Sequence, residues 1–408
     1  MMRRTSGGTA LVAVSIALMA GCSTVSTPMP TAGTVGATAR QTAPKVAAII
    51  PGEIIVKFKT TSRSGDTMSK YGLTRKRGLS GINAMLTKTS ADVLTTVAEL
   101  QADPNVQYAS ANYVETTLEI AAPNDPDYAK QYAPQITHAP EGWVIAKGDP
   151  NTLLAIVDTG IDSKHPDLAA KIGTNYNAID QSNNANDGHG HGTHCAGIAA
   201  ALTNNGVGMA GIAPNNRIFS VKVLSDSGQG TTADVCSGMT KAADMGAKVI
   251  SMSLGGSGGQ QVKQDAVNYC LSKDALIVAA MGNDGGNVKT YPGACDGVMA
   301  VGSTDAADKR SSFSNFGTWI SVTAPGSKIW STLPTGGSAM GTGYGIASGT
   351  SMATPAVAGL AILVRSQFPL LTAKQTKAKI EASVDDLGAP GFDNEFGHGR
   401  INVLKALT

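Results

Sequence analysis

Charged residues are scarce in this sequence, and neither sign is in large excess. Asp, Glu, Lys and Arg make up 15% of the 408 residues, and the formal net charge is +2. Because there is no basic stripe either, nothing points to nucleic acid as a partner. Hydrophobic residues account for 42% of the chain, which excludes a largely disordered protein. The length suffices for two or three domains.

The apolar run near the N-terminus is too short to cross a membrane. After the basic start MMRR, the segment TALVAVSIALMA is typical of a secretory signal, which we assign to residues 1–21. The signal ends in LMAGCS, which is similar to the bacterial lipoprotein box and implies lipidation of Cys22. The alternative is an ordinary cleaved signal with an incidental cysteine. We expect an exported bacterial protein, anchored in the outer membrane or secreted.

Composition and patterning divide the rest of the chain into three parts. Residues 22–48 are rich in Thr, Pro, Ala and Gly, which is typical of a flexible tether. Residues 49–118 carry the strand patterns GEIIVKFK and VQYASANYVE around an amphipathic helix, ADVLTTVAELQAD. They predict a small α+β module. Residues 122–408 form a second, larger unit, and we find no internal repeats.

The larger unit alternates apolar runs with helical patterns. LLAIVD, RIFSVKVL, KVISMSL, ALIVAAMG and VMAVGS are apolar throughout, as expected for parallel strands covered on both faces. TADVCSGMTKAADMG and QQVKQDAVNYCLSKD predict crossover helices. The fold class is therefore α/β, with a mostly parallel central sheet and helices on both faces. SMATPAVAGLAILV predicts a further, buried helix, with Pro355 in its first turn.

Polar residues stand where these apolar elements end or begin. Asp158 ends LLAIVD, and Asn283 follows ALIVAAMG. His191 lies at a glycine-rich helix entry, and Ser351 stands at the start of the buried helix. Because ligands bind beyond the carboxyl ends of parallel strands, we expect these residues to meet there. A carboxylate, an imidazole, an amide donor and a hydroxyl are the groups that acyl transfer requires.

Each of these features has a plainer interpretation when taken alone. Asp158 is also consistent with a helix cap, and Asn-Asp-Gly sequences are common in turns. The three histidines His189, His191 and His194 also suggest a metal site. However, no glutamate stands at the spacing of the H-E-x-x-H zinc motif.

The order Asp, His, Ser within VDTGID, HGTHCAG and GTSMATP resembles the subtilisin family of serine peptidases. NDPDY, AALTNNGVGMAGIAP and KVISMSLGG are most similar to thermitase-type members, and the resemblance covers roughly residues 123–402. It implies that Ser351 is the nucleophile, that His191 is the general base and that Asp158 orients His191. It also implies that Asn283 and the backbone N–H of Ser351 hold the oxyanion.

The resemblance also implies how peptides bind. SMSLGG matches the strand along which substrates bind in the family, and SDSGQG matches the strand that faces it. AAMG matches a wall of the pocket that holds the substrate residue before the cut. Peptides would add to the exposed edge through main-chain hydrogen bonds. We expect a broad endopeptidase with an apolar or aromatic preference, in a pocket narrowed by Met281 and Thr290. The implied substrate-binding residues are Gly228, Ser253, Leu254, Gly255, Ala280 and Gly282.

The α+β module at 49–118 resembles the family's inhibitory propeptide, which acts as a folding template for the slowly folding protease. Self-cleavage is then expected between Thr116 and Ala122. The alternative is a permanent substrate- or surface-binding module. The implied partners are protein and peptide substrates and the chain's own propeptide. We expect a monomer with no organic cofactor and no membrane contact beyond the lipid anchor.

Calcium is the expected ion, because loops rich in carboxylate, amide and carbonyl oxygens suit a hard cation. By resemblance, one site takes side-chain oxygens from Asp125, Asp167 and Asn205 and carbonyl oxygens from Leu202, Val207 and Met209. The alternative is an Asn-Gly loop without an ion. A second family site would fall on Asn177, Asp180, Ser182, Asn184 and Asn186, of which only one is charged.

Two features fall outside this chemistry. Ala356 stands where the family usually has histidine, and we expect altered packing with activity retained. A non-catalytic protein that binds peptides in the same groove is the rival hypothesis. Cys195 is expected to be a buried free thiol, with a catalytic cysteine as the alternative. Any disulfide would join Cys270 to Cys295, although spacing alone does not determine pairing.

Overall fold

The computed structural model describes residues 48–114 and 120–408, which fall into two compact units. The predicted signal sequence, Cys22 and nearly all of the tether lie outside the described residues, as does most of the expected self-cleavage segment. None of the helices in the described ranges combines the length and apolarity that crossing a bilayer requires.

The first unit is an antiparallel sheet covered by one longer helix, in the strand order β2-β3-β1-β4. Helix α2 begins after Asp92, whose side chain accepts the N–H of Thr95, and its residues Val93, Val97 and Leu100 face the sheet. The elements are β1 Ile49–Phe58, α1 Ser64–Lys70, β2 Thr74–Leu79, β3 Ala84–Lys88, α2 Val93–Ala102 and β4 Val106–Tyr113.

The second unit is built on a nine-stranded sheet with the order β14-β15-β11-β10-β9-β8-β5-β7-β6. All neighbouring strands are parallel except β14 and β15, and β12 pairs with β13 in a separate hairpin. The strands are β5 Leu153–Asp158, β6 Ile172–Asn177, β7 Arg217–Lys222, β8 Val249–Met252, β9 Leu276–Ala280, β10 Met299–Thr304, β11 Val322–Pro325, β12 Ile329–Thr332, β13 Tyr344–Ala347, β14 Val384–Asp385 and β15 Arg400–Ile401.

Helices pack on both faces of this sheet, which confirms the predicted fold class. One core contains most of α5 and α8, and the other contains the apolar faces of α6 and α7. The helices are α3 Ala133–Ile136, α4 Ala139–Ile145, α5 His191–Ala200, α6 Thr232–Asp244, α7 Gln260–Ser272, α8 Thr350–Gln367, α9 Ala373–Glu381 and α10 Val403–Leu407.

Strand order explains why distant polar residues meet. β9, β8 and β5 are neighbours in the sheet and run in the same direction. Their carboxyl ends therefore lie side by side at one edge. Asp158 ends β5, Ser253 follows β8, and Asn283 lies in the loop after β9.

Candidate active site

Asp158 and His191 form the shortest link of the site. Asp158 is buried, and its Oδ1 lies 2.7 Å from His191 Nδ1. His191 is the first residue of α5, so the helix start must approach the end of β5 closely. Glycine makes this possible, because a Cβ on Gly192 would lie 2.1 Å from the carbonyl oxygen of Gly160.

This pairing decides the protonation of His191. Burial alone would lower the pKa of the imidazole, but the charge and hydrogen bond of Asp158 hold it well above its ordinary value. With Nδ1–H donating to Asp158, Nε2 is the nitrogen left to exchange a proton with another group.

Ser351 lies in the first turn of α8, where backbone N–H groups lack partners within the helix. Pro355 is one turn further in, so the prediction that it lies in the first turn is wrong. It fits because the carbonyl of Ser351, which would otherwise accept a bond from residue 355, has other donors. Ser253 Oγ donates to it over 2.8 Å and Cys195 Sγ over 3.4 Å.

The hydroxyl of Ser351 points toward the strand end beside it. Ser351 Oγ donates to the carbonyl oxygen of Ser253 over 3.0 Å. Cys195 Sγ lies 3.9 Å from His191 Nδ1 as well as 3.4 Å from the Ser351 carbonyl, so imidazole and serine flank the same thiol. Among the described contacts, the Ser351 hydroxyl bonds Ser253 rather than His191, and hydrogen bonds between catalytic groups often tighten only when substrate binds.

Asn283 is held so that its amide NH₂ is exposed at the site. Its Oδ1 accepts the N–H of Thr350 over 2.8 Å and the Thr350 hydroxyl over 2.9 Å. A Cβ placed on Gly349 would lie 3.5 Å from both Asn283 Nδ2 and the backbone nitrogen of Ser351. A position beside Ser351 is thus near two N–H donors, the amide of Asn283 and the backbone N–H of Ser351.

The three histidines do not form a joint metal site, although the rings of His189 and His191 lie in edge contact with their centroids 6.3 Å apart. His194 is buried with Nε2 3.3 Å from the carbonyl oxygen of Gly345, and burial lowers its pKa to about 4. Within the described ranges, the only group of three or more His, Cys, Asp or Glu side chains close enough to share a metal ion is Asp158, His191 and Cys195, whose ligand atoms lie within 4.8 Å of one another. Burial raises the pKa of the Cys195 thiol, which therefore stays protonated and is a poor nucleophile.

A pocket of about 360 Å³ adjoins Ser351. Thr290 narrows it, because Cβ atoms on Gly255 and Gly282 would lie 2.4 and 2.6 Å from its side chain. Met281 does not reach the pocket; it is fully buried against the core under β9 and β10, so this expectation is wrong. The pocket lining includes Leu254, Gly255, Ala280, Gly282, Asn283, Thr290 and Ser351.

A second cleft, of about 670 Å³, lies beside His191. It is bordered by the Ser253–Gly258 segment on one side and by the segment around Gly228 on the other. His189 lies against Gly228, where a Cβ would come within 2.9 Å of its Nε2. The two clefts share Leu254, Gly255 and Gly256 in their lining, with His191 bordering one cleft and Ser351 the other.

Asp125 and Asp167 lie close together, both buried. Asp167 accepts bonds from Asn205 Nδ2 over 2.8 Å and from the N–H of Met209 over 2.9 Å, and Asp125 accepts the N–H of Asn205 over 3.2 Å. Burial and the charge of Asp167 raise the pKa of Asp125. No lysine or arginine in the described ranges forms an ion pair with either carboxylate.

The other expected calcium ligands lie in loops. Leu202 donates its N–H to the carbonyl of Asp167, and Val207 donates its N–H to Asn205 Oδ1. In the loop of the second site, side-chain oxygens accept backbone N–H groups two residues further on. This holds for Asn177, Asp180, Ser182 and Asn184, the last of which bonds the N–H of Asn186.

The other cysteines in the described ranges carry no disulfide. Cys236, Cys270 and Cys295 are free thiols, so the predicted Cys270–Cys295 bond is wrong. Cys270 packs inside the core beneath α6, where its Sγ contacts the carbonyl of Met239. Ala356 lines a cavity of about 10 Å³ beneath α8, and the altered packing expected there stays a prediction.

Asp187 and Thr159 support the site but were not predicted from the sequence. Asp187 is buried and accepts the hydroxyl of Thr159 over 2.8 Å, together with N–H groups at the start of α5. Thr159 in turn accepts the N–H of Gly192. The pair ties the end of β5 to the helix that carries His191. An acidic residue just before a glycine-rich helix entry was the available signal.

Comparison with known proteins agrees with this geometry. Residues 149–399 match the model of the subtilase family of peptidases, and residues 36–112 match that of the fervidolysin N-terminal prodomain. The chain belongs to the subtilase family and is a serine endopeptidase with an N-terminal prodomain.

Individual relatives narrow the class. The chain is 48% identical to thermitase of Thermoactinomyces vulgaris over 286 residues, which cover 70% of this chain and 99% of thermitase. It is 39% identical to a thermophilic serine proteinase of Bacillus sp. (strain AK1), over 88% of each protein. The match to a solved protease structure from Pseudoalteromonas arctica covers 70% of this chain and 99% of that protease chain. The two are 31% identical, and the TM-score is 0.64. The chain is thus a thermitase-type subtilisin-like protease.

Proposed function

We propose that Asp158, His191 and Ser351 form the catalytic triad and that Asn283 and the N–H of Ser351 bind the oxyanion. The observation that supports this most is that all four residues lie at, or bond to residues at, one edge of the sheet, beyond the carboxyl ends of β5, β8 and β9. Asp158 bonds His191 directly, and Ser351 and His191 flank the same thiol.

The residues supply each step of peptide hydrolysis. Ser351 Oγ attacks the scissile carbonyl carbon while its proton passes to His191 Nε2, forming a C–O bond and an oxyanion. The oxyanion lies between Asn283 Nδ2 and the N–H of Ser351, at the start of α8, where the helix dipole favours negative charge. As the C–N bond breaks, His191 returns the proton to the leaving amine. Water then repeats the sequence on the acyl ester, releasing the acid and restoring Ser351.

Substrates are extended peptides that lie along Ser253–Gly256, facing the segment of Gly228. The residue before the cut enters the pocket of about 360 Å³, where the walls at Leu254 and Ala280 favour an apolar side chain. Thr290 limits its size. Glycines at 255 and 282 leave room for the peptide backbone.

The protein is made as a precursor that processes itself. The unit of residues 48–114, which matches a prodomain, acts as template and inhibitor, and cleavage follows between Thr116 and Ala122. A sheet assembled from strands distant in sequence folds slowly, so a template that is later removed suits a kinetically stable protease. The N-terminal sequence directs export and lipidation at Cys22, and a Cys22→Ser variant is expected to leave the membrane fraction.

Calcium stabilises the folded protease at Asp125 and Asp167. Two buried carboxylates without a basic partner repel one another, and a divalent cation removes that repulsion. Asn205 supplies a third oxygen, and the loop 202–209 supplies carbonyls. The turn-capping bonds in the loop of Asn177 and Asn186 give no comparable support for the second site.

Labelling and processing together test the catalytic proposal. A fluorophosphonate probe is expected to label Ser351, as read by peptide mass spectrometry, and full-length protein is expected to convert to a smaller mature form. Both events should disappear in Ser351→Ala and persist in Ser348→Ala, a matched change at an exposed serine three residues away. A folded protein that neither labels nor processes would instead be the non-catalytic peptide binder.

A further inference from the structure

The cleft of about 670 Å³ beside His191 contains a buried cation that the proposed chemistry does not use. Lys263, on α7, lines this cleft with only 5% of its surface exposed. Its Nζ donates to the carbonyl oxygens of Gly258 over 2.9 Å and Tyr291 over 3.2 Å. An ammonium group has three N–H donors, so one remains without a described acceptor.

No anion compensates this charge. Among the described residues, no carboxylate forms an ion pair with Lys263. The nearby thiols of Cys236 and Cys295 are neutral, because burial raises the pKa of both, that of Cys295 to about 11. Burial of an unpaired ammonium is unfavourable, and it also lowers the pKa of Lys263.

Other buried cations in the described ranges are better satisfied. Lys222, Arg365 and Arg400 each contact at least one carboxylate, and the Nζ of Lys171 donates to three carbonyl oxygens. Of these five residues, only Lys263 lines a substrate-sized cleft. Its ammonium donates to only two acceptors, and both are neutral carbonyl oxygens. The missing partner is therefore expected to enter from the cleft.

The ammonium lies directly behind the edge along which the peptide is proposed to bind. Gly256 belongs to this edge, and a Cβ added to it would lie 3.8 Å from Lys263 Nζ. Because Gly256 has no side chain, it places nothing between the ammonium and a bound peptide. Side chains of an extended peptide alternate at about 3.3 Å per residue. When one residue fills the pocket at Ser351, residues nearer the substrate's N-terminus reach this second cleft.

We propose that Lys263 makes this cleft a subsite for an acidic side chain, at one of the four substrate positions that precede the residue in the pocket at Ser351. A carboxylate entering the cleft accepts the third N–H of Lys263 and neutralises its charge. The apolar lining by Leu254 and Val235 holds the methylene groups of glutamate better than those of aspartate. This proposal rests on the proposed peptidase function and adds a substrate class to it.

Internally quenched peptides that differ only in Glu, Gln or Leu at each of those four positions test the subsite. We expect the wild-type enzyme to cleave the Glu peptide about tenfold faster than the Gln peptide, in kcat/KM, at one position, the typical effect of a charge-assisted hydrogen bond. Lys263→Met should abolish that ratio and favour Leu, Lys263→Arg should retain it, and Lys241→Met, at an exposed lysine, should leave it unchanged. Rates are normalised by active-site titration.

Equal cleavage of Glu and Gln peptides by the wild-type enzyme would overturn the subsite, whatever the variants do, and would leave the peptidase function standing. So would a Glu/Gln ratio that survives in Lys263→Met. Failure to cleave any peptide or to react with the fluorophosphonate would overturn both proposals together.

Discussion

Ser253 and Ser351 exchange hydrogen bonds, each hydroxyl donating to the other's backbone carbonyl. The two distances are 2.8 Å from Ser253 Oγ and 3.0 Å from Ser351 Oγ. The exchange ties the substrate-binding edge to the start of α8 and exists because Pro355 leaves the carbonyl of Ser351 without a helical donor. It also engages the single hydroxyl proton of Ser351, the proposed nucleophile, which must leave this bond before it can be donated to His191.

Ser253→Ala removes one half of this exchange and leaves the carbonyl of Ser253 in place. Only the weaker thiol donor of Cys195 then supports the Ser351 carbonyl, so the start of α8 is less well fixed. We expect kcat to fall by about three- to tenfold, as loss of one net hydrogen bond implies, with KM little changed. Steady-state kinetics with a peptide substrate measure this, and Ser237→Ala, at an exposed serine of α6 that lines neither cleft, is the control. A kcat equal to wild type would show that the exchange has no catalytic role.

Asn283→Ala removes the side-chain donor proposed for the oxyanion while Thr350 keeps its other contacts. We expect kcat to fall by about a hundred- to a thousandfold, with fluorophosphonate labelling slowed and KM changed little, because the donor acts mainly in the transition state. Asn287→Ala makes the same change at an exposed position of the same loop. If the two variants have similar kcat values, Asn283 does not bind the oxyanion.

The pKa of His191 predicts the acid limb of the activity profile. His191 acts as a base only when neutral, and Asp158 holds its pKa well above the ordinary value of 6.5. The value of kcat/KM should therefore fall with decreasing pH through a midpoint above 6.5, because protonation removes the base. In Asp158→Asn the residual activity, lower by about 10⁴, should titrate at a lower pH. A wild-type midpoint below 6.5 would contradict the role of Asp158.

The sequence predicted the parallel sheet and the four polar residues because both depend on local pattern. Strands covered on both faces are apolar throughout, and the four polar residues stand at the end of a strand, shortly after one, or at the start of a helix. Other features depend on residues that arrive from elsewhere. β2, TRKRGL, is mostly exposed and shows no apolar alternation. From the sequence alone, Lys263 is expected to face solvent on its helix, and only the packing of α7 beside the cleft shows that it is buried. The contacts of Thr350 with Asn283 depend in the same way on a loop that is distant in the sequence.

Calcium removal is expected to destabilise the mature protease through Asp125 and Asp167. A ligand present at a hundred times its Kd stabilises the folded state by about 2.7 kcal/mol, so EDTA should lower Tm by several degrees. In Asp167→Asn, calcium should raise Tm much less, because one of the two carboxylates is lost. Differential scanning calorimetry with inhibited enzyme measures both effects.

Asp180→Asn is the matched control for this experiment, since it removes a carboxylate from the loop of the second family site. Its calcium-dependent Tm shift should equal that of wild type. If Asp180→Asn loses the shift and Asp167→Asn keeps it, the ion binds at the second loop.

His194 is expected to make the fold sensitive to acid. Burial lowers its pKa to about 4 in the folded protein, whereas in the unfolded chain it is about 6.5. Between these values the unfolded state binds more protons, so the free energy of unfolding falls as the pH decreases from about 6.5 to 4. The difference in pKa corresponds to about 3 kcal/mol. Full-length Ser351→Ala protein, which cannot digest itself, allows this to be measured by urea unfolding.

Introducing His194→Gln into the Ser351→Ala protein should reduce the loss of unfolding free energy between pH 6.5 and pH 4 by about 3 kcal/mol, because glutamine does not titrate. At neutral pH it should lower stability through altered packing around α5 and through loss of the contact between His194 Nε2 and the carbonyl oxygen of Gly345. His398→Gln, at a histidine that is only partly buried, should leave the slope as it was. Parallel pH profiles for the His194 and His398 variants would mean that other groups, such as the carboxylates near Arg400, govern acid unfolding.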